Sequence, residues 1–289
     1  MKSAIIAVLA ICSLTNTSAF ASEKVIYGID NRKDLFEVTN PMHLKLADST
    51  VALVRRNDMT QNSSGMIRIF AGTLEQAMGV CKKERFSDQP SGGFCSGSLI
   101  GKGLILTAGH CITSMSDCQS TSFVFGYAVN KKGTYPSEVP SQDVVGCKNI
   151  VYRVQEGKGA DFAIIELDRE ITQHEPLKLA NRTTKNELKR GDKLLMIGHP
   201  SGIPTKIDDG ASVRDPSPKG YLVANTDSYG GNSGSAVFNL ATGEIEGVLV
   251  RGETDFVYQN GCYVSNVCDE NGCRGEDITK ISSVLPKMP

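Results

Sequence analysis

The sequence predicts an all-β fold of short antiparallel strands. Its apolar runs are brief, clusters of Gly, Asn, Asp and Ser separate them, and helical periodicity is scarce. The clearest unit is a hairpin: residues 94–100, a Gly101-Lys102-Gly103 turn, then residues 104–108. Further strands are expected at residues 123–127, 162–167 and 194–197. A second hairpin pairs 235–239 with 244–251 about the turn Leu240-Ala241-Thr242-Gly243. One helix is expected over residues 73–80, where Thr73 and Gln76 have capping-box spacing. Frequent turns between short strands favour a sandwich or barrel over a parallel sheet.

The first 21 residues read as a leader rather than structure. Lys2 supplies the positive end, residues 4–14 an apolar core, and Ala19-Phe20-Ala21 a small-residue cleavage pattern. That core is too short to span a bilayer, and no other apolar stretch is long enough, so no membrane partner is expected. Removal after Ala21 would send the chain to a periplasm or out of the cell. The net charge is −1 with no basic block, which argues against nucleic acid as a partner. Eight of the nine cysteines lie beyond the leader: Cys81, Cys95, Cys111, Cys118, Cys147, Cys262, Cys268 and Cys273. An even set behind a leader reads as disulfides made in an oxidising compartment, in an order sequence alone does not settle. Cys262, Cys268 and Cys273 lack metal-ligand spacing and a nearby histidine, so neither a metal nor another cofactor is expected. The length suits one large domain or two compact halves; a polar break near residue 180 would divide the latter into 25–180 and 181–289, and a monomer is expected.

Chemistry concentrates in three places. Thr107-Ala108-Gly109-His110-Cys111 offers an imidazole, Asp161 opens an apolar strand, and Gly230-Gly231-Asn232-Ser233-Gly234-Ser235 presents a serine in a glycine-rich turn. A serine hydroxyl needs a base to take its proton, and that imidazole needs an acceptor to fix its tautomer. Glycines permit a tight turn whose N–H groups converge on a developing oxyanion. His43, His174 and His199 sit in loop-like contexts, the last in a Gly-His-Pro turn.

These runs resemble the chymotrypsin/trypsin family of serine proteases. The resemblance implies two six-stranded antiparallel barrels with the active site in the cleft between them. It implies His110 as general base, Asp161 as orienting carboxylate, and Ser233 as nucleophile, with the Gly231 and Ser233 amides as oxyanion hole. It also implies a Cys95–Cys111 bridge. The Gly-Gly-Asn-Ser-Gly-Ser form and the segment from Val25 to Arg32 are most similar to the bacterial glutamyl-endopeptidase branch. The expected activity is a serine endopeptidase acting on polypeptides through an acyl-enzyme.

Specificity is expected from Asp227, Ser228, Val250 and Gly252. Asp227 stands where trypsin-like members carry a pocket-floor aspartate, which implies cleavage after Lys or Arg. The alternatives are a glutamyl-type endopeptidase, although Leu249 occupies the place of that branch's pocket histidine, and a catalytically silent protease-like binding module. Four departures from the family stand out. Arg251 replaces a tryptophan and is expected either to neutralise Asp227 or to lie along the cleft. Val250 replaces a serine whose hydroxyl supports the triad acid, and Tyr229 replaces a cysteine that braces the pocket. Asn232 replaces an aspartate that pairs with a new N-terminus, so maturation is expected instead by cleavage after a short propeptide, residues 22–24, freeing Val25.

Overall fold

Antiparallel pairing closes most of the first half of the chain into a barrel whose strands are largely buried. In the computed structural model, which describes residues 25–183 and 186–289, six strands go round it. They run Val144–Gln155, Asp161–Leu167, Leu104–Thr107, Cys95–Gly101, Thr50–Arg55, Thr121–Val124 and back to Val144–Gln155, every pair antiparallel. The expected leader and propeptide lie outside the described residues. Among those residues no helix is long and apolar enough to cross a membrane.

The second half carries an eight-stranded antiparallel sheet. Its order is Val213–Asp215, Tyr221–Ala224, Glu276–Lys280, Ile245–Arg251, Ala236–Asn239, Leu194–Gly198, Lys206–Asp208 and Arg32–Lys33. This half departs from a closed six-stranded ring. Arg32–Lys33 pairs with Lys206–Asp208 and takes the edge that closure would need. Along Leu194–Gly198, buried throughout, the core that each side chain joins follows the two-residue period of a strand. Leu195 and Ile197 face a core cluster shared with the first barrel, through Ile105, Phe123 and Phe162, while Leu194 and Met196 face a second cluster with Leu222 and Ile278.

Both predicted hairpins form, as Cys95–Gly101 with Leu104–Thr107 and Ala236–Asn239 with Ile245–Arg251. The predicted helix is shorter, Leu74–Met78. Thr73 and Gln76 cap it reciprocally, and Gly79 ends it in the left-handed region at φ 68°. Four disulfides staple the chain: Cys81–Cys262, Cys95–Cys111, Cys118–Cys147 and Cys268–Cys273. The second is the bridge that the resemblance implies.

Candidate active site

Strand register brings two of the three chemical runs together. Ala163 lies opposite Thr107, so Asp161, two residues earlier, meets the chain just past Thr107, where it turns through Gly109 to His110. A side chain at Gly109 would lie 2.9 Å from Asp161 Oδ1 and 3.0 Å from Phe162 O, and closer still to Val154 O. Only glycine lets the carboxylate approach so near.

Asp161 is buried and grips His110 twice. Oδ1 accepts the His110 backbone N–H at 3.1 Å, and Oδ2 lies 2.8 Å from Nδ1. Because an ionised carboxylate only accepts, Nδ1 donates, which leaves Nε2 with a lone pair. Thr279 holds the acid from behind: its Oγ1 accepts from Asp161 N–H and donates to Asp161 C=O, both at 3.0 Å. Val250 offers no hydroxyl here. Its side chain belongs to the core, so a threonine from a different strand supports the acid. No local sequence signal marks Thr279.

The serine turn packs directly on the histidine loop. Ser233 C=O accepts from Ser96 N–H at 2.8 Å and lies 3.6 Å from Cys111 Sγ. Gly234 has φ +91°, and a side chain there would strike Ser96 O and Thr107 Oγ1 and come within 3.0 Å of Ala108 N. Gly231 has φ +87°, and its carbonyl accepts from Ser96 Oγ at 2.9 Å. Asn232 is buried, its amide set between Ser228 Oγ at 3.0 Å and Ser235 Oγ at 3.2 Å. A neutral network thus shapes this turn. His199 backs it: its N–H donates to Ser96 Oγ at 2.9 Å, its ring bonds Ile203 O at 3.1 Å, and burial drives its pKa down to about 3. It is a neutral packing histidine. Cys95, His110 and Cys111 also gather within 4.8 Å, but the disulfide takes both sulfurs from any metal.

The trypsin-like peptidase domain family matches residues 95–248, more than half of the 289. The chain belongs to that family of serine proteases. It is 30% identical to exfoliative toxin A of Staphylococcus aureus over 166 residues, 53% of this chain and 54% of the toxin, and so spans about half the length of that relative. Among solved structures it is similar to the VesB protease of Vibrio cholerae, with a TM-score of 0.51 and 18% identity over 91% of this chain and 66% of that one. That likeness speaks to the fold alone.

Around the specificity region of this peptidase domain the structure revises several expectations. Asp227 does not point into open space. Its Oδ1 accepts from Tyr27 N–H at 2.8 Å and its Oδ2 from Asn31 N–H at 2.7 Å, so the carboxylate anchors the incoming N-terminal segment. The buried Tyr27 amide requires an acceptor, and Asp227 is the group at hand for it and for the partly buried Asn31 amide. Burial, then the neighbouring Asp208 charge, raises its pKa to about 8. Ser228 is also buried: its N–H donates to Val25 O at 3.1 Å and its hydroxyl accepts from Asn232.

Arg251 does not pair with Asp227. It turns to Asp277, with Nε 3.0 Å from Oδ2. Tyr229 is braced by Arg32, whose guanidinium stacks 3.9 Å from the ring centroid and donates to the hydroxyl at 2.9 Å. Arg32 is itself fully buried and bonded to Asp30. Gly252 stands against a carboxylate that sequence reasoning missed, since a side chain there would collide with both oxygens of Glu276. Glu276 is fully buried, and its Oε1 accepts from Glu253 N–H at 3.3 Å and from Tyr27 hydroxyl at 3.4 Å. Burial, then the Glu276 charge, pushes the Tyr27 phenol above its usual range and keeps it a donor.

Proposed function

We propose that this chain is a secreted or periplasmic serine endopeptidase that cuts polypeptides through an acyl-enzyme. The observation that carries the reading is the His110 Nδ1 to Asp161 Oδ2 contact at 2.8 Å, on a loop against which the Ser233 turn is packed. His110 Nε2, bare in this tautomer, takes the Ser233 proton as Oγ attacks the peptide carbonyl. The Gly231 and Ser233 amides take the oxyanion, and His110 returns the proton to the leaving amine. Water then repeats the sequence on the acyl-enzyme. Asp161 stabilises the imidazolium without taking its proton. Four disulfides support folding in an oxidising compartment. Ser233→Ala is expected to lower turnover by several orders of magnitude while leaving the fold intact. Unchanged hydrolysis by that variant would refute the mechanism, whereas wild-type protein that neither hydrolyses peptides nor takes up a serine-directed phosphonate would favour a binding module.

Within this reading the preference is for Lys or Arg, and Glu276 replaces Asp227 as the group that reads it. Support comes from the placement of its carboxylate against Gly252, fixed by the Glu253 amide, while Asp227 is committed to the N-terminal segment. A fully buried carboxylate there favours a cationic side chain and opposes an acidic one. Leu249, buried where the glutamyl branch carries a histidine, adds no cation. A peptide-library digest should show cuts after Lys and Arg, lost in Glu276→Gln. Cuts after Glu, or indifference to the substitution, would reverse this assignment.

Maturation by cleavage between Lys24 and Val25 fits the same preference. The segment that follows is built into the site, through Val25 O with Ser228 N–H and the Tyr27 and Asn31 amides with Asp227. N-terminal sequencing of secreted active enzyme should read Val25 first. A start at Ser22 in fully active protein would dismiss the processing step.

A further inference from the structure

Arg251 closes strand Ile245–Arg251 in the second half, yet two of its guanidinium nitrogens reach the first. Nη2 donates to Gly159 O at 2.9 Å and Nη1 to Glu156 O at 3.2 Å. Those carbonyls belong to the turn that delivers the chain to Asp161, a turn closed by Glu156 N–H on Ala160 O at 2.9 Å. Nη1 also lies 3.9 Å from Asp161 Oδ2, the oxygen that faces His110 Nδ1. The opposite edge of the fork is anchored, with Nε on Asp277 Oδ2 at 3.0 Å. Asp277 is in turn fixed by Arg274 Nη2, 2.9 Å from both of its oxygens.

We infer that Arg251 is a positioning residue for Asp161, locking the turn before it so that the carboxylate stays aligned with His110 and the triad registers how the two halves pack. The inference rests on the serine-protease reading above and adds to it a side chain that touches neither substrate nor the reacting atoms. Three features support positioning over surface pairing. The side chain is mostly buried, it bonds in three directions at once, and two of its partners are backbone carbonyls of the segment that carries the acid. At 3.9 Å the charge contact with Asp161 is not a hydrogen bond, so the hold is chiefly geometric. A planar five-donor fork suits that task, and a lysine cannot span the same three acceptors. Arg251 and Thr279 together thus do for the acid what the serine hydroxyl absent at Val250 does elsewhere in the family.

The test compares Arg251→Gln, Arg251→Ala and Arg251→Lys with wild type in kcat and KM on a short ester, and in the rate at which a phosphonate labels Ser233. Because displacement of an aligned group by about 1 Å costs on the order of 10²-fold, kcat and labelling should both fall about ten- to a hundredfold in the Gln and Ala variants. KM should move by less than about threefold, since ground-state binding is untouched. Guanidinium ion at millimolar concentration should restore part of the Arg251→Ala rate, and sodium chloride at equal ionic strength should not. Wild-type kcat and labelling in Arg251→Gln, or a change confined to KM, would overturn the inference. If the Gln and Ala variants fail to fold, Arg251→Lys decides: reduced kcat at unchanged KM supports positioning, and wild-type kcat overturns it. Ser233→Ala, run in parallel, separates the two levels. Full hydrolysis there sinks the protease reading itself, whereas an inactive Ser233→Ala beside a wild-type-like Arg251→Gln sinks only the role of Arg251.

Discussion

Gly109→Ala should cripple turnover far more than it unfolds the protein. A methyl group at this position would sit 2.9 Å from Asp161 Oδ1 and 3.0 Å from Phe162 O, and nearer still to Val154 O. Carbon and oxygen need several tenths of an ångström more than that, and two of the three neighbours are backbone that belongs to paired strands. The least anchored response is for the His110 loop and the Asp161 carboxylate to part by about 0.5 to 1 Å, which corresponds to as much as about 10²-fold in kcat. Overpacking of this kind costs about 1–3 kcal/mol, or roughly 2–5 °C in thermal midpoint for a chain of this size. Active-site titration with a phosphonate, combined with steady-state kinetics, separates the two effects by counting competent sites. A variant that titrates fully and turns over within about threefold of wild type would show that the approach of Asp161 to His110 does not depend on this glycine.

Other perturbations probe the supports around the site. Thr279→Val leaves the Asp161 N–H and C=O unpartnered in a buried place and should cost about 2–4 kcal/mol with a fall in kcat, while Thr279→Ser should restore both; denaturant titration and kinetics read them. Asp227 is raised from 3.8 to about 8 by burial and then by Asp208, so between those values the folded protein keeps a proton that the unfolded chain has released. This group's contribution to stability is therefore full below about pH 4 and is lost as pH rises toward about 8. Asp208→Asn should consequently cost less stability at pH 8 than at pH 5 in urea titrations, and an equal cost at both would contradict the coupling. Cys81–Cys262 joins residues 181 apart and Cys268–Cys273 residues 5 apart. Chain entropy assigns them about 5 and about 2 kcal/mol, so replacing the first pair by alanine should lower the urea midpoint much further than replacing the second.

What sequence revealed and what it hid divide by range. Contacts set by neighbours were readable: the hairpin into His110, the reciprocal Thr73 and Gln76 cap, and a glycine-flanked serine. Helix Pro41–Asp48 was missed although Asn40 caps it and Pro41 occupies its first turn, because its two turns are too few for a periodic signal. The open second sheet depends on Arg32–Lys33, a strand of two residues with no pattern to detect. Asp227 shows the limit most sharply. Counting back from Ser233 located it correctly in the loop, but the Tyr27 and Asn31 amides that claim its oxygens come from the far end of the chain. The same holds for Arg32 on Tyr229 and for Arg251 on Glu156 and Gly159. Side-chain type set what each group could bind, and only folding set which partner arrived.

Covalent labelling with an active-site phosphonate, followed by mass spectrometry of the digested protein, addresses the triad most directly. A single adduct on Ser233, formed by the folded enzyme and abolished by His110→Ala, is the expected result. An adduct elsewhere, or labelling of Ser233 at the same rate without His110, would contradict the assignment of a histidine-activated serine.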